Sequence, residues 1–143
     1  MEKKNTDDLR QELMQEPDLE RFLSENREQF CDESLTESLN RLFQKKNISK
    51  AALAKRAEMS EVYLHQIFAG RRNPSRNRLL CLCFGLEASV DETQELLKHC
   101  GLAQLYPRNK RDAIIYYGLV HKLKLSELND KLFAEGEETL FDR

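Results

Sequence analysis

The sequence predicts an all-α fold, and three observations carry that prediction. Leu, Ala, Glu, Lys and Arg dominate a 143-residue chain that has only five Gly, three Pro and no Trp, a composition that favours helix over sheet. Apolar residues recur at spacings of three and four, and few segments alternate with the period of two that strands need. Ser, Thr, Asn and Asp stand just ahead of these periodic segments, and Gly stands just behind several of them. The length suits one compact body with appendages. The chain divides into an acidic N-terminal helical arm (1–33), a central five-helix domain (34–101) and a C-terminal helical hairpin (102–143).

Each element has its own signal. Thr6 is placed to cap a helix running to Gln15, with Asp7 and Asp8 in its first turn and Pro17 as its end. Asp18 opens a second segment carrying Leu19, Phe22 and Leu23 and running on towards Phe30. These two helices are amphipathic and need a surface to lie on, either the rest of the chain or a partner protein. Ser34 or Thr36 starts the next helix, whose Leu35, Leu39, Leu42 and Phe43 make one stripe before Lys45-Lys46-Asn47. Ser49 caps a helix from Lys50 to Ala57, and Ser60 caps one from Glu61 to Ala69 that stops at Gly70. A helix from Arg76 to Phe84 buries Leu79, Leu80, Cys83 and Phe84 and ends at Gly85, and another runs from about Asp91 through Leu96 and Leu97 to Cys100. Asn109 caps the first helix of the hairpin, and Ser126, with Asn129 three residues on, opens the second, which Gly136 ends. The hairpin is too small to fold alone, so it packs on the five helices or on a second copy of itself. Residues 135–143 read as a frayed end.

The formal net charge of −2 conceals a segregation. Met1 to Ser38 has 5 Lys/Arg against 12 Asp/Glu, Leu39 to Leu80 has 10 against 2, and Cys81 to Arg143 has 8 against 11. A basic block inside an acidic chain is the footprint of a nucleic-acid site, since phosphate neutralisation supplies most non-specific affinity. Cys31, Cys81, Cys83 and Cys100 lack the Cys-x-x-Cys spacing of a tetrahedral site, so no metal is expected and the thiols read as free. No Gly-rich phosphate loop, carboxylate pair or nucleophile set points to an enzyme, and no cofactor is expected. A pocket between the hairpin and the five-helix body would be invisible to sequence reading. No apolar run approaches the length of a membrane span and no apolar leader opens the chain; a cytoplasmic protein is expected.

The basic block coincides with the two short helices Lys50–Ala57 and Glu61–Ala69, joined by a tight turn and followed by a basic loop. This reads as a DNA-binding helix-turn-helix. Ala54 supplies the small residue where the helices cross, and Leu53, Ala57, Leu64 and Ile67 face the core. Met59 anchors the turn, and Ser60 accepts from the amides that open the second helix. The pattern Ile48-Ser49-Lys50, Leu53-Ala54, Met59-Ser60 and Gly70-Arg71-Arg72-Asn73-Pro74-Ser75 resembles the lambda-repressor-like, XRE-type helix-turn-helix family of bacterial and phage transcriptional regulators. The resemblance covers about Leu35 to Cys100, and the segment from Tyr106 to Leu140 looks like the helical tail of a branch of small XRE-type proteins.

The resemblance implies that the exposed face of helix Glu61–Ala69 enters the major groove of double-stranded DNA, with Glu61, Val62, Tyr63, His65 and Gln66 as base-contacting candidates. Gln66 suits a bidentate contact to adenine, Val62 or Tyr63 a thymine methyl, and Glu61 a cytosine amino group. Lys50, Ser60, Arg71, Arg72, Asn73 and Arg76 are the phosphate-contacting candidates. The chain departs from the family's usual polar residues at Lys50, Glu61 and Val62. Glu58 holds a turn position often taken by Gly or Asn, at a cost on the order of 1 kcal/mol if left-handed. One short recognition helix reads few base pairs, so the expected form is a homodimer on a two-fold-related operator, with Ile114, Ile115, Tyr117 and Leu119 as interface candidates. The alternative is a helix-turn-helix-derived interaction or adaptor module, antitoxin-like or serving a mobile element, with the acidic arm as its partner-binding element.

Overall fold

The computed structural model describes residues 4–26 and 34–141. Residues 1–32 and 33–143 are two compact units. Among the described residues there are nine helices and no strand, so the all-α class holds. None of these helices is long and apolar enough to cross a membrane.

The first unit holds α1 (Thr6–Gln15) and α2 (Leu19–Glu25). Asn5, rather than Thr6, caps α1: its Oδ1 accepts from the Asp8 amide at 2.8 Å and the Asp8 carboxylate accepts from the Asn5 amide at 3.4 Å. Asn is the stronger cap and the acid three residues on completes the reciprocal box. Asp18 caps α2 as expected. Lys4 donates to Glu12 and to Asn26 Oδ1, and Asn26 Nδ2 donates to Glu12 Oε2 and the Phe22 carbonyl, both at 3.0 Å. The expected continuation of α2 towards Phe30 lies outside the described residues.

The second unit holds α3 (Leu35–Lys46), α4 (Lys50–Arg56), α5 (Glu61–Phe68), α6 (Arg76–Gly85), α7 (Val90–His99), α8 (Lys110–Val120) and α9 (Leu125–Ala134). Ser34, Ser49, Ser60, Ser75 and Ser89 each accept through Oγ from an amide of the helix they precede, at 3.1–3.2 Å. These serines turn a polar sequence signal into fixed helix entries. At the other ends, the amide of the residue after the left-handed position reaches back five residues, as Met59 does to Ala54 and Arg71 to Gln66, which satisfies carbonyls the helix leaves open. Gly70 takes the left-handed position after α5 and Glu58 takes it after α4, at φ 55°.

Helix α6 is the axis of the unit, packing on α4, α7 and α9. Every residue from Leu79 to Gly85 is buried, so it is a core helix rather than the one-faced helix its Leu79, Leu80 and Cys83 pattern implied. It ends at Gly85 as expected, but that glycine is not the left-handed residue. A Cβ there would lie 2.9 Å from Leu53 Cδ1 and 3.3 Å from the Ala57 amide nitrogen, so this glycine lets α4 approach, and the left-handed stop falls at Glu87. The Glu92 carboxylate clamps α7 to α3, accepting the Lys45 and Lys46 ammonium groups at 3.0 Å each and the Ser89 amide at 2.9 Å. Partial burial alone would raise its pKa; the Ser89 amide and the two lysines outweigh that and hold it at about 2.

The hairpin packs on α6 and α7. Ile115 and Leu119 are buried in the same core as Leu82 and Leu97, which corrects their assignment to a dimer interface: they complete this unit's interior. Gly118 permits the closest approach, since a Cβ would meet Leu128 Cδ1 at 2.8 Å and the Phe84 ring at 3.1 Å. Helix α9 opens at Leu125, one residue before the expected Ser126, with the Lys124 amide donating to Glu127 Oε1 at 2.9 Å. Asn129 is not a capping partner but a buried anchor whose Oδ1 accepts from the Leu140 amide at 2.8 Å. Leu140 is fully buried, and Arg111 donates to the Glu138 and Thr139 carbonyls. The tail is therefore fixed as far as Leu140 and does not fray there.

Candidate nucleic-acid interface

The site is built around α5. Its inner face, Leu64, Ile67 and Phe68, is buried, and Asn40 Nδ2 donates to the Phe68 carbonyl at 3.3 Å, so the helix is held by its core side and its last turn. Ser60 Oγ accepts from the Tyr63 amide at 3.1 Å. Within the helix the Glu61 and Val62 amides have no carbonyl ahead of them to bond, the usual setting for meeting a phosphate.

The outer face presents Glu61, Val62 and His65 exposed and Gln66 half-buried. Val62, Gln66 and His65 line one shallow concavity with Lys50 and Arg71, which brings three of the base-contacting candidates and two of the phosphate-contacting ones onto one surface. Lys50 is positioned by aromatics, its Nζ lying 5.2 Å from the Phe68 ring centroid and 5.9 Å from that of Phe43. Those two rings meet edge to face at 5.2 Å, a favoured arrangement that stiffens the platform.

Tyr63 is differently employed from its sequence-based role. The Arg72 and Arg78 guanidinium carbons each lie 5.4 Å from its ring centroid. The ring is therefore committed to holding two arginines, each contact being worth about 0.5–1 kcal/mol at a wet site. Arg78 is the residue that sequence reading missed; its contact with Tyr63 joins α5 to the first turn of α6, and no local spacing announces it. Arg71, Arg72 and Asn73 are exposed in the loop after Gly70.

Arg76, by contrast, is withdrawn from the phosphate set. Its guanidinium makes a two-pronged pair with Asp112, both bonds 3.1 Å, and donates to the Ala103 and Gln104 carbonyls at 2.8 and 3.3 Å. Asp112 also accepts from the Tyr106 amide at 3.0 Å. Lys45 and Lys46 are likewise held by Glu92, which offsets one of their two charges. The basic block thus includes paired cations that hold helices together, Lys45, Lys46 and Arg76, and a cluster around α5 consisting of Lys50, Arg71, Arg72 and Arg78, while Lys55 and Arg56 stand at the end of α4.

No group of three or more His, Cys, Asp or Glu able to hold a metal occurs among the described residues. Cys81 and Cys83 are buried, and burial pushes the Cys83 thiol up to about 12 against a weaker lowering by Thr93. Such a thiol is an inert packing group at neutral pH. Cys31 lies outside the described residues.

Fold and surface together define a helix-turn-helix domain in an all-helical chain. Residues 34–96 match the helix-turn-helix domain family, consistent with the XRE-like pattern of the sequence. Neither a curated protein nor a solved structure matches the chain.

Proposed function

We propose that the protein is a sequence-specific transcriptional regulator that inserts α5 into the major groove, as a homodimer on a two-fold-related DNA site in the cytoplasm. The observation that carries this reading is the shared surface of α5: Val62, His65 and Gln66 open between Lys50 and Arg71, with Arg72 and Arg78 braced on Tyr63 beside them. Gln66 reads a base edge; Lys50, Ser60, Arg71, Arg72, Asn73 and Arg78 bind phosphates and set register. Glu61, beside the opening of the helix, accepts from a cytosine amino group and disfavours base edges that present only acceptors there. Tyr63 acts as a positioning residue for the two arginines.

The dimer surface is the outer side of the hairpin, where Ile114 and Tyr117 line a groove with Lys110, Lys131 and Glu135. Both charge signs occur in one patch, which suits a two-fold contact in which each copy offers the same residues. Selection of bound sequences from a random duplex pool tests the whole reading. Enrichment of a site with two related halves is expected, and a salt-sensitive background without enrichment would contradict it.

One observation favours the adaptor reading: Leu13, Met14, Leu19 and Leu23 of the acidic arm are exposed, an apolar display suited to a protein partner. Capture of a partner by the arm, together with no enriched DNA sequence, would establish that function instead.

A further inference from the structure

A second basic surface lies away from the α5 residue set. A concavity of about 520 Å³ opens between the end of α4, the turn after α6 and the α8–α9 connection. Lys55, Arg56, Lys122 and Lys124 line it together with Glu58 and Glu87, over a floor that includes Phe84 and Leu123. Its size is in the range of small-molecule sites, roughly 300–1,000 Å³. The four cations contrast with Lys45, Lys46 and Arg76 of the same unit, which are held in ion pairs with Glu92 and Asp112.

Two further features give the concavity its chemistry. Leu125 and Ser126, which open the ten-residue α9, belong to its lining. The eight other described helices each begin with a side chain that accepts from a first-turn amide, whereas Lys124 offers none; the Glu127 carboxylate takes the Lys124 amide at 2.9 Å, and the Leu125 and Ser126 amides add donors to the four cations. Glu58 and Glu87 limit the surplus to two positive charges, which matches a short anion and not a long polyanion such as a duplex backbone.

We infer that this groove binds a diphosphate group, free or carried by a small organic molecule: Lys55 and Arg56 flank it from α4, and Lys122, Lys124 and the first amides of α9 meet it from the hairpin. Arg56 and Glu58 adjoin the turn that sets α5, so the bound anion ties the hairpin to the helix-turn-helix. That regulatory consequence rests on the proposed DNA-reading function; the binding itself does not.

Calorimetric titration of the full chain with inorganic pyrophosphate and, separately, with ADP tests the site without DNA. One-to-one binding of at least one probe is expected, weakened about tenfold or more by Lys122→Gln with Lys124→Gln and unchanged by Arg71→Gln with Arg72→Gln. Tighter binding of ADP would assign the site to organic diphosphates, and equal binding to the free anion. Absence of saturable binding, survival of binding in the Lys122/Lys124 variant, or its loss in the Arg71/Arg72 variant would overturn the inference. Circular dichroism of each variant, expected to match the parent, separates a lost site from a lost fold.

Discussion

Replacing Arg76 by Ala separates an architectural cation from a phosphate-binding one. The side chain makes two bonds to Asp112 and two to the carbonyls of Ala103 and Gln104, joining α6 to α8 across the linker between α7 and α8. Removing one member of a fully buried ion pair costs about 3–5 kcal/mol, because the remaining charge keeps its desolvation penalty. Here the Arg76 side chain is 23% exposed and that of Asp112 10%, and the Asp112 carboxylate retains the Tyr106 amide, so a loss of about 2–3 kcal/mol is expected. For a unit of this size that is a fall in melting temperature of about 10 °C. A double-mutant cycle with Asp112→Ala, followed by urea unfolding, should return a coupling of about 1–2 kcal/mol. DNA affinity of the folded Arg76→Ala protein should stay within about twofold of the parent, a few tenths of a kcal/mol. An unchanged melting temperature accompanied by weakened DNA binding would refute the assignment and return Arg76 to the phosphate set.

Four other outcomes follow from the packing and the clamps. Glu92→Gln should destabilise the fold at pH 7 by about 1–2 kcal/mol, a linkage ceiling of about 3 kcal/mol being reduced by solvent screening. Because the folded-state pKa of Glu92 is lowered to about 2 from an ordinary 4.5, its contribution is complete above pH 4.5 and is lost as pH falls through about 2. The gap between variant and parent in urea unfolding should shrink to roughly half by pH 3, and a gap independent of pH would count against the clamp. Glu58→Gly should stabilise the protein by about 0.5–1 kcal/mol, since relief of a left-handed side chain exceeds the added freedom of the unfolded chain; thermal unfolding gives the sign. Ile115→Ala should cost about 2–5 kcal/mol as a core deletion. Tyr117→Ser, at a residue 49% exposed, should cost under about 0.5 kcal/mol yet convert a dimer to monomer in sedimentation, and a protein that is monomeric throughout would remove the hairpin interface.

The helix-turn-helix was legible because its signals are local. Ser49, Ser60 and Gly70 act on amides and carbonyls a few residues away, and the inward set of Leu53, Ala57, Leu64 and Ile67 repeats with the helix. Interactions across the chain were not legible. Whether Arg76 meets a phosphate or Asp112 depends on where α8 lies, and Arg78 joins Tyr63 through the approach of α6 to α5. Ile115 and Leu119 occupy the same helix as Tyr117 and are equally apolar in sequence; only docking on α6 and α7 decides which of them is interior. Asn129 likewise reads as a helix-start residue until Leu140 returns to its side chain. Capping and periodicity fix the elements, while the third dimension assigns the charged and apolar residues that share a pattern.

The most direct measurement of the central claim is affinity against salt concentration for the selected duplex and a scrambled one, using the parent protein, Gln66→Ala and Arg71→Gln. A helix that reads bases through Gln66 predicts that Gln66→Ala weakens the selected duplex by about 1–3 kcal/mol and leaves the scrambled duplex unchanged. Arg71→Gln should weaken both duplexes alike and lower the salt slope by about one. Equal affinity of the parent for the two duplexes, or a Gln66→Ala protein that discriminates as well as the parent, would contradict the account.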